Sequence, residues 1–356
     1  MTAPNVKAKE TFAWRLLAWF DRHGRHDLPW QVDRSLYRVW VSEVMLQQTQ
    51  VVTVIPYFER FMARFPTVAA LAVAPVDDVL HHWSGLGYYA RARNLHRAAQ
   101  RIVAEFGGDV PADIMALQSL PGIGRSTAGA ILAQALNQRH PILDGNVRRV
   151  LARWAGVEGF PGESAVAARL WQLSEALTPE QRACDYTQAI MDLGATCCTR
   201  RRPDCSRCPL SSDCIAHREG RQAVLPQARA PKVRPTRSVH WLIVRAGDDV
   251  LLIRRPSRGI WGGLYGFPES ADPTTWREAF ASRCPLPTGD FPALPLIRHA
   301  FSHFELVIHP WLWVTERFIE RPDETWYNVT HPAVLGLAAP VTALIQRLRL
   351  GGAASR

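Results

Sequence analysis

Lysine is almost missing from this sequence: Lys7, Lys9 and Lys232 are the only three, and every other base among the 42 Lys+Arg is arginine. Chemistry routed through a lysine amine is therefore excluded between residues 10 and 231. Long apolar runs are missing too. None approaches the ~18 residues of a membrane-crossing helix, and the first twenty residues mix charges with apolar positions and lack a small-residue cleavage site. A soluble intracellular protein with no membrane partner is expected. Acidic residues are in deficit, 32 against 42 basic, and the resulting +10 makes nucleic acid and anionic surfaces the leading partner classes. Cysteine is sparse: seven in 356 residues suit metal ligands or buried thiols better than a disulfide framework. There is no internal repeat and no low-complexity tract.

What is present fits two or three packed domains, with 47% hydrophobic and 21% charged residues. From about residue 10 to 216 apolar residues recur every three or four positions, as in NLHRAAQRIVAEF (94–106) and STAGAILAQAL (126–136), which predicts a mostly helical region. Residues 217–237 are basic, contain Pro226, Pro231 and Pro235 and lack periodicity, so they read as a linker. Most of the charge is local, because residues 199–237 carry ten Lys+Arg against three Asp+Glu. From 238 to 356 the pattern shifts to short strands, SVHWLIVR (238–245), VLLIRR (250–255) and HAFSHFELVIHPWLWV (299–314), with helical stretches at 273–283 and 338–350. This predicts an α+β domain.

Three motifs carry chemistry. Cys198, Cys205, Cys208 and Cys214 give C-x6-C-x2-C-x5-C. Only one C-x2-C pair is present where a structural zinc site normally joins two, and the wider gaps resemble a [4Fe–4S] ligand loop; zinc and inert thiols are the alternatives. Cys197 would lengthen the first gap, and Cys184 and Cys284 have no partner by spacing. Arg200, Arg201, Arg202 and Arg207 between the ligands suggest a basic knuckle facing phosphates or a solvated loop. The second motif is LPGIGRSTAGAIL (120–132), in which Gly122 and Gly124 open directly into a small-residue helix whose first amides can meet an anion. It is similar to a helix-hairpin-helix, with an ordinary inter-helix turn as the alternative. Twenty residues later, ILDGNVRRVLAR places Asp144 before a helix, where a lone Asp would be a simple N-cap.

Together the hairpin, the following Asp and the four-cysteine loop resemble the endonuclease III superfamily of DNA glycosylases. RHDLPWQVDRSLYRVWVSEVMLQQTQVVTVIPYFERF (25–61) and HHWSGLGYYARARNLHRAA (81–99) narrow the resemblance to the adenine DNA glycosylase (MutY) family over nearly the whole chain. The implied fold is a mainly α N-terminal helix-hairpin-helix glycosylase domain with an iron–sulfur module at 198–214, within residues 1–216, plus an α+β Nudix-like C-terminal domain over 238–356. The resemblance implies Glu43 and Asp144 as catalytic carboxylates, with Asn146 near the sugar. It implies DNA contacts from Gln48, Thr49, Tyr88, Gly122, Gly124 and Ser126, and an adenine pocket walled by Leu28 and Trp30. His26 stands where some members carry Arg.

Chemistry points the same way. Breaking a bond between base and deoxyribose passes through an oxocarbenium-like state, so an acid must protonate the leaving base while a carboxylate stabilises the cation. Glu43 lies among Val41, Val44, Met45 and Leu46, an apolar setting that raises a carboxyl pKa. Family members that also cut the strand usually carry a lysine where this chain has Ser126, so a monofunctional enzyme using water is expected. In the C-terminal region Gly263, Glu269 and Arg277-Glu278 fit the opening of a Nudix box, but Ala281-Ser282 replace its metal-binding Glu pair. A Nudix-like fold without hydrolysis is expected, with Phe301, Ser302 and His303 inspecting the base opposite adenine; plain strand alternation is the alternative. The implied cofactor is a [4Fe-4S] cluster and the implied partner is double-stranded DNA containing A:8-oxoG or A:G mispairs. A monomer is expected, in the cytoplasm and nucleoid-associated in a bacterium. The rivals are an endonuclease III-like glycosylase/lyase and a non-catalytic DNA-binding module.

Overall fold

The computed structural model describes residues 6–229, 233–280, 283 and 291–353. Ala281, Ser282 and Cys284 lie outside the described residues. Two compact units form, one from Met1–Val73 with Asn94–Ala230 and the other from Ala74–Arg93 with Pro231–Arg356. No helix among the described residues is long and apolar enough to cross a membrane.

The first unit is helical. In chain order the helices through residue 154 are α1 (Val6–His23), α2 (Leu36–Leu46), α3 (Val51–Arg64), α4 (Val68–Val73), α5 (Val76–Trp83), α6 (Ala90–Glu105), α7 (Ile114–Ser119), α8 (Arg125–Leu136) and α9 (Gly145–Trp154), with α5 and the first turn of α6 belonging to the second unit. α10 (Ser164–Leu177), α11 (Ala183–Asp192) and the short α12 (Ile215–Arg218) follow. Phe12, Leu16 and Phe20 of α1 meet Val150 and Leu151 of α9, Leu170 of α10 and Ile190 of α11 in one core, as the 3.6-residue apolar spacing requires.

Two helices depart from that one-sided pattern. α2, capped by Ser35 whose hydroxyl accepts from the Arg38 amide at 3.3 Å, buries Tyr37, Val39, Trp40, Val41, Ser42, Val44 and Met45, so it is enclosed nearly all round. α8 is buried continuously from Ala128 to Gln134 and packs on α2, because its small side chains let the two backbones approach. Glu43, the carboxylate carried by α2, is therefore set among apolar side chains with only part of its surface open to a cleft.

The second unit holds a mixed sheet. Its strands are β1 (Thr236–Ala246), β2 (Asp249–Arg254), β3 (Tyr265–Gly266), β4 (Glu269–Ser270), β5 (Ile297–Ala300), β6 (Glu305–Val314) and β7 (Glu324–Asn328). The order is β3-β2-β1-β6-β5, with β4 paired to β1 and β7 to β2. β1 and β6 run parallel from Thr236 opposite Glu305 to Arg245 opposite Val314, while the other pairs are antiparallel. Alternate residues Leu242, Val244 and Ala246 of β1 share a core with Trp276 and Phe280 of α13 (Thr275–Phe280), Phe291 and Trp313. α14 (Ala339–Ala353) completes the unit. The run HAFSHFELVIHPWLWV is not one strand: β5 ends at Ala300 and β6 starts at Glu305, with a tight turn closed by the Phe301 amide donating to the Phe304 carbonyl at 2.9 Å.

Candidate functional site

One cleft of about 940 Å3 in the first unit gathers most of the expected residues: Leu28, Trp30, Glu43, Gln48, Thr49, Ser126, Asp144 and Asn146 all line it. Glu43 enters from α2, and its carboxyl accepts from the Gln134 amide at 2.6 Å. Burial is the main cause that pushes this carboxyl up to about 7, helped by the negative charge of Asp144 and opposed by the Gln134 hydrogen bond. Near neutral pH a large fraction of Glu43 is therefore the neutral acid, able to give up a proton.

Asp144 faces the same cleft from the start of α9, and it caps that helix: its Oδ1 accepts from the Val147 amide at 2.8 Å. The N-cap reading of this residue is met by the same conformation that turns it to the cleft. Burial raises its carboxyl as well, but amide hydrogen bonds from Val147 and Asn146 and the charges of Arg149 and Arg148 pull the other way. The acidity of Glu43 is set without help from a basic side chain, whereas two arginines act on Asp144. Burial prevails at both positions, so each carboxyl lies above its ordinary value.

The loop that delivers Asp144 is tied to the hairpin. Ser126 accepts from the Leu143 amide through its hydroxyl at 2.9 Å and so braces this loop. Gly122 of the hairpin has φ +83, and a Cβ there would lie 2.9 Å from the Asn94 Cβ, so only glycine fits. Gly124 caps α8, and a Cβ built on it meets nothing within 4 Å, leaving the first amides of α8 approachable from outside. Gly122 and Gly124 do not line the cleft. Gln48 does, on the short turn after α2, with a left-handed φ of 61 that a side chain adopts only under constraint. Tyr88 shares that feature with φ 48 and is half exposed, but it belongs to the second unit.

Four residues that the sequence reading passed over complete the cleft and its supports. His26 is not among them: its ring packs on Phe20 at 4.4 Å and its Nε2 lies 3.0 Å from the Phe20 carbonyl. Arg25 lines the cleft instead, held by Asp192, which accepts from the Arg25 amide at 2.7 Å and from its guanidinium at 2.9 and 2.5 Å. Asp192, 1% exposed, also accepts from Gln188 at 2.7 Å, so one buried carboxylate orients two groups that face the cleft. Gln134 is the fourth. The signal in the sequence was an acid or an amide inside an apolar helical run, AIMDLGA and AILAQAL.

Asn146 accepts from Arg149 at 2.8 Å, and Arg149 also donates to the carbonyls of Gly194 at 2.6 Å and Cys198 at 2.8 Å. Gly194 lies in a single π-helical turn, Leu193–Cys197, where a Cβ would come within 2.6 Å of the Asn146 Cβ. Beyond it Cys198, Cys205, Cys208 and Cys214 line one small cavity, together with Cys197 and Arg153. Arg153 is 3% exposed and donates to Cys198 Sγ at 3.3 Å and to the carbonyls of Leu225, Cys198, Thr199 and Arg200, with no carboxylate partner among the described residues. As they stand, the described side chains form no group of three His, Cys, Asp or Glu placed to hold an ion.

In the second unit, Ser302 and His303 are exposed at the β5–β6 turn, and Phe301 stacks on buried Phe304 at 4.5 Å and packs on Trp261 at 5.1 Å. The turn is thus anchored by aromatics and offers a polar tip. Strand alternation does not describe it.

Residues 41–176 match the HhH-GPD superfamily base excision DNA repair proteins, and residues 239–347 match the NUDIX domain. The fold of the helical part is shared with a thermostable thymine-DNA glycosylase (TM-score 0.55, 26% identity, 60% of this chain and 98% of that one). It is also shared with an endonuclease III in a non-covalent DNA complex (TM-score 0.51, 21% identity, 60% and 97%). The helical part therefore has the fold of the base-excision DNA glycosylases. The adenine DNA glycosylase of Buchnera aphidicola subsp. Acyrthosiphon pisum is 37% identical over 351 residues, 96% of this chain and 98% of its own length. That of Homo sapiens is 36% identical over 368 residues, covering 85% and 66%. The chain belongs to the adenine DNA glycosylase family, hydrolases of N-glycosyl bonds that remove adenine in base excision repair.

Proposed function

We propose that the substrate is duplex DNA in which adenine stands opposite 8-oxoguanine or guanine, and that a monomer releases the base with water alone. The observation that carries this is the pair of carboxyls in one cleft, Glu43 raised to about 7 by burial and Asp144 raised by burial against the pull of two amides and two arginines. Glu43 gives its proton to the adenine ring; the N-glycosidic bond breaks with its electron pair leaving on the base. Asp144 faces the cation left on the sugar, and Asn146 orders the groups beside it. Water then adds to the sugar carbon and its proton is returned to the site. Ser126, already engaged with Leu143, supplies no amine, so the strand stays closed.

The adenine must leave the helix stack to reach Glu43, which costs a few kcal/mol. Gln48, Thr49 and Tyr88 are the groups we assign to that gap, Leu28 and Trp30 to the walls of the adenine pocket, and Gly122, Gly124 and Ser126 to the phosphate-gripping hairpin. Phe301, Ser302 and His303 are assigned to the base opposite. We assign a [4Fe-4S] cluster to Cys198, Cys205, Cys208 and Cys214, whose donor set suits it: four thiols line one cavity with a buried arginine that donates to sulfur and, among the described residues, has no carboxylate partner. When bound, such a cluster supplies a covalent tie across residues 198–214. Cytoplasmic work on the nucleoid follows if the chain is bacterial. The test is incubation with duplexes carrying adenine opposite 8-oxoguanine, guanine or thymine, with and without alkali. Adenine release with strand breaks chiefly after alkali is expected; breaks without alkali at the rate of base release would favour the lyase. Metal analysis finding zinc and little iron would overturn the cluster.

A further inference from the structure

We propose that Gln134 is a positioning residue for Glu43: it holds one carboxyl oxygen in the protein so that the other carries the proton into the cleft. This rests on the reading of Glu43 as the acid. Gln134 is 6% exposed, near the end of a helix whose residues 128–134 are all buried, and its amide donates to Glu43 Oε1 at 2.6 Å. Among the described residues Gln134 is the one hydrogen-bond partner of that carboxyl. An amide placed in such a helix without a partner would be costly to bury, and so would a lone carboxyl on the enclosed α2, so each fixes the other.

The rest of the neighbourhood leaves this pairing unrivalled. Cys184 of α11 donates its thiol to the Gln134 carbonyl at 3.3 Å, and its amide donates to the side chain of Asn137, which anchors the end of α8. The charged groups lining the cleft with Glu43 are Asp144 and Arg149 from α9 and the loop before it, Arg25 from the α1–α2 connection, already held by Asp192, and Arg200 from the cysteine loop. α3 contributes only Val51 and Val52. With Oε1 occupied as an acceptor, a proton on Glu43 sits on Oε2. A carboxyl free to turn would place that proton toward the cleft only part of the time.

The test is the pH dependence of single-turnover adenine release by the full chain carrying Gln134→Met, which keeps length and loses the donor, and Gln134→Glu, which sets a second carboxylate against the first. Because the amide favours the ionised form of Glu43, its loss should move the alkaline limb of the profile upward by about half to one pH unit for Met and further for Glu. The plateau rate should fall several-fold. The 13C resonance of the Glu43 carboxyl, titrated in the DNA-free protein, should move its midpoint in the same direction. A midpoint and a limb unchanged in both variants would overturn the assignment, even if the rate fell. Full release by Glu43→Gln would overturn the acid reading itself, and it is distinguishable because the carboxyl midpoint would still shift in Gln134→Met.

Discussion

The two units bury different chemistry. In the first, Asp192, Arg153, Gln188 and Gln134 are all less than 7% exposed and converge on the cleft or on the cysteine cavity beside it. In the second, the core is a set of tryptophans and phenylalanines packed edge to face, as with Phe280 and Trp313 at 5.6 Å, bordered by the Arg283–Glu324 ion pair. Buried polar groups are tolerated only when partnered, and they shift the acidity of their neighbours. The first unit accepts that cost around its cleft and its cysteine cavity. In the second, Phe301, Phe304 and Trp261 anchor the β5–β6 turn, and the polar Ser302 and His303 at its tip stay outside.

The largest test of this contrast is to neutralise the carboxyls. Glu43→Gln and Asp144→Asn should each lower the single-turnover rate of adenine release by ~10²–10⁴-fold while duplex binding persists, as the loss of general acid or electrostatic catalysis predicts. Near-normal release by either variant would break the division of labour. Next in size is Ser302→Ala in the second unit, which should cut the preference for 8-oxoguanine over guanine by a factor that corresponds to ~1–3 kcal/mol and leave the rate on the preferred duplex nearly intact. An unchanged partner preference would show that the turn reads something else.

Burial of Glu43 also has a stability signature. Its carboxyl value rises from 4.5 to about 7 on folding, so the folded chain keeps the proton to higher pH than the unfolded chain. That contribution is fully present below the unfolded value and is lost as pH rises through about 7. Glu43→Gln, neutral throughout, should therefore be more stable than the parent at pH 8 by about 3 kcal/mol and by about 1 kcal/mol at pH 5, read by denaturant titration. Equal differences at the two pH values would mean that the carboxyl is not desolvated. The smallest effect concerns the basic loop: neutral replacements of Arg200, Arg201 and Arg202 should weaken binding to every duplex and reduce the salt slope by about one for each DNA phosphate that is no longer neutralised. A slope that does not change would return the loop to ordinary solvated surface.

Legibility differed by element. The helical periodicity, the hairpin turn with Gly122 and the helix start at Asp144 could be read directly, because each follows from local backbone physics. The joining of Glu43 to Asp144, far apart in the chain, could not be read from spacing; it came through resemblance to a family. HAFSHFEL reads as an unbroken strand since apolar alternation continues through it, whereas Phe301 and Phe304 both turn inward and stack, which forces a bend. Arg25, rather than His26, reaches the cleft because Asp192 lies where it can hold a guanidinium, and a contact between residues 167 apart leaves no trace in either local pattern.

By itself, then, the sequence determined the helical and mixed α/β halves, the excess of positive charge, the absence of a usable lysine amine and the residue types available for acid catalysis. These depend on composition and on periods of two or 3.6 residues, which neighbours along the chain define. Tertiary structure decided which of several carboxyls is desolvated, which arginine is pinned, and that Gln134 meets Glu43. Those outcomes depend on helices packed side by side from distant parts of the chain, since a proton's affinity for a carboxyl is set by everything within a few ångströms of it, whatever the separation in sequence.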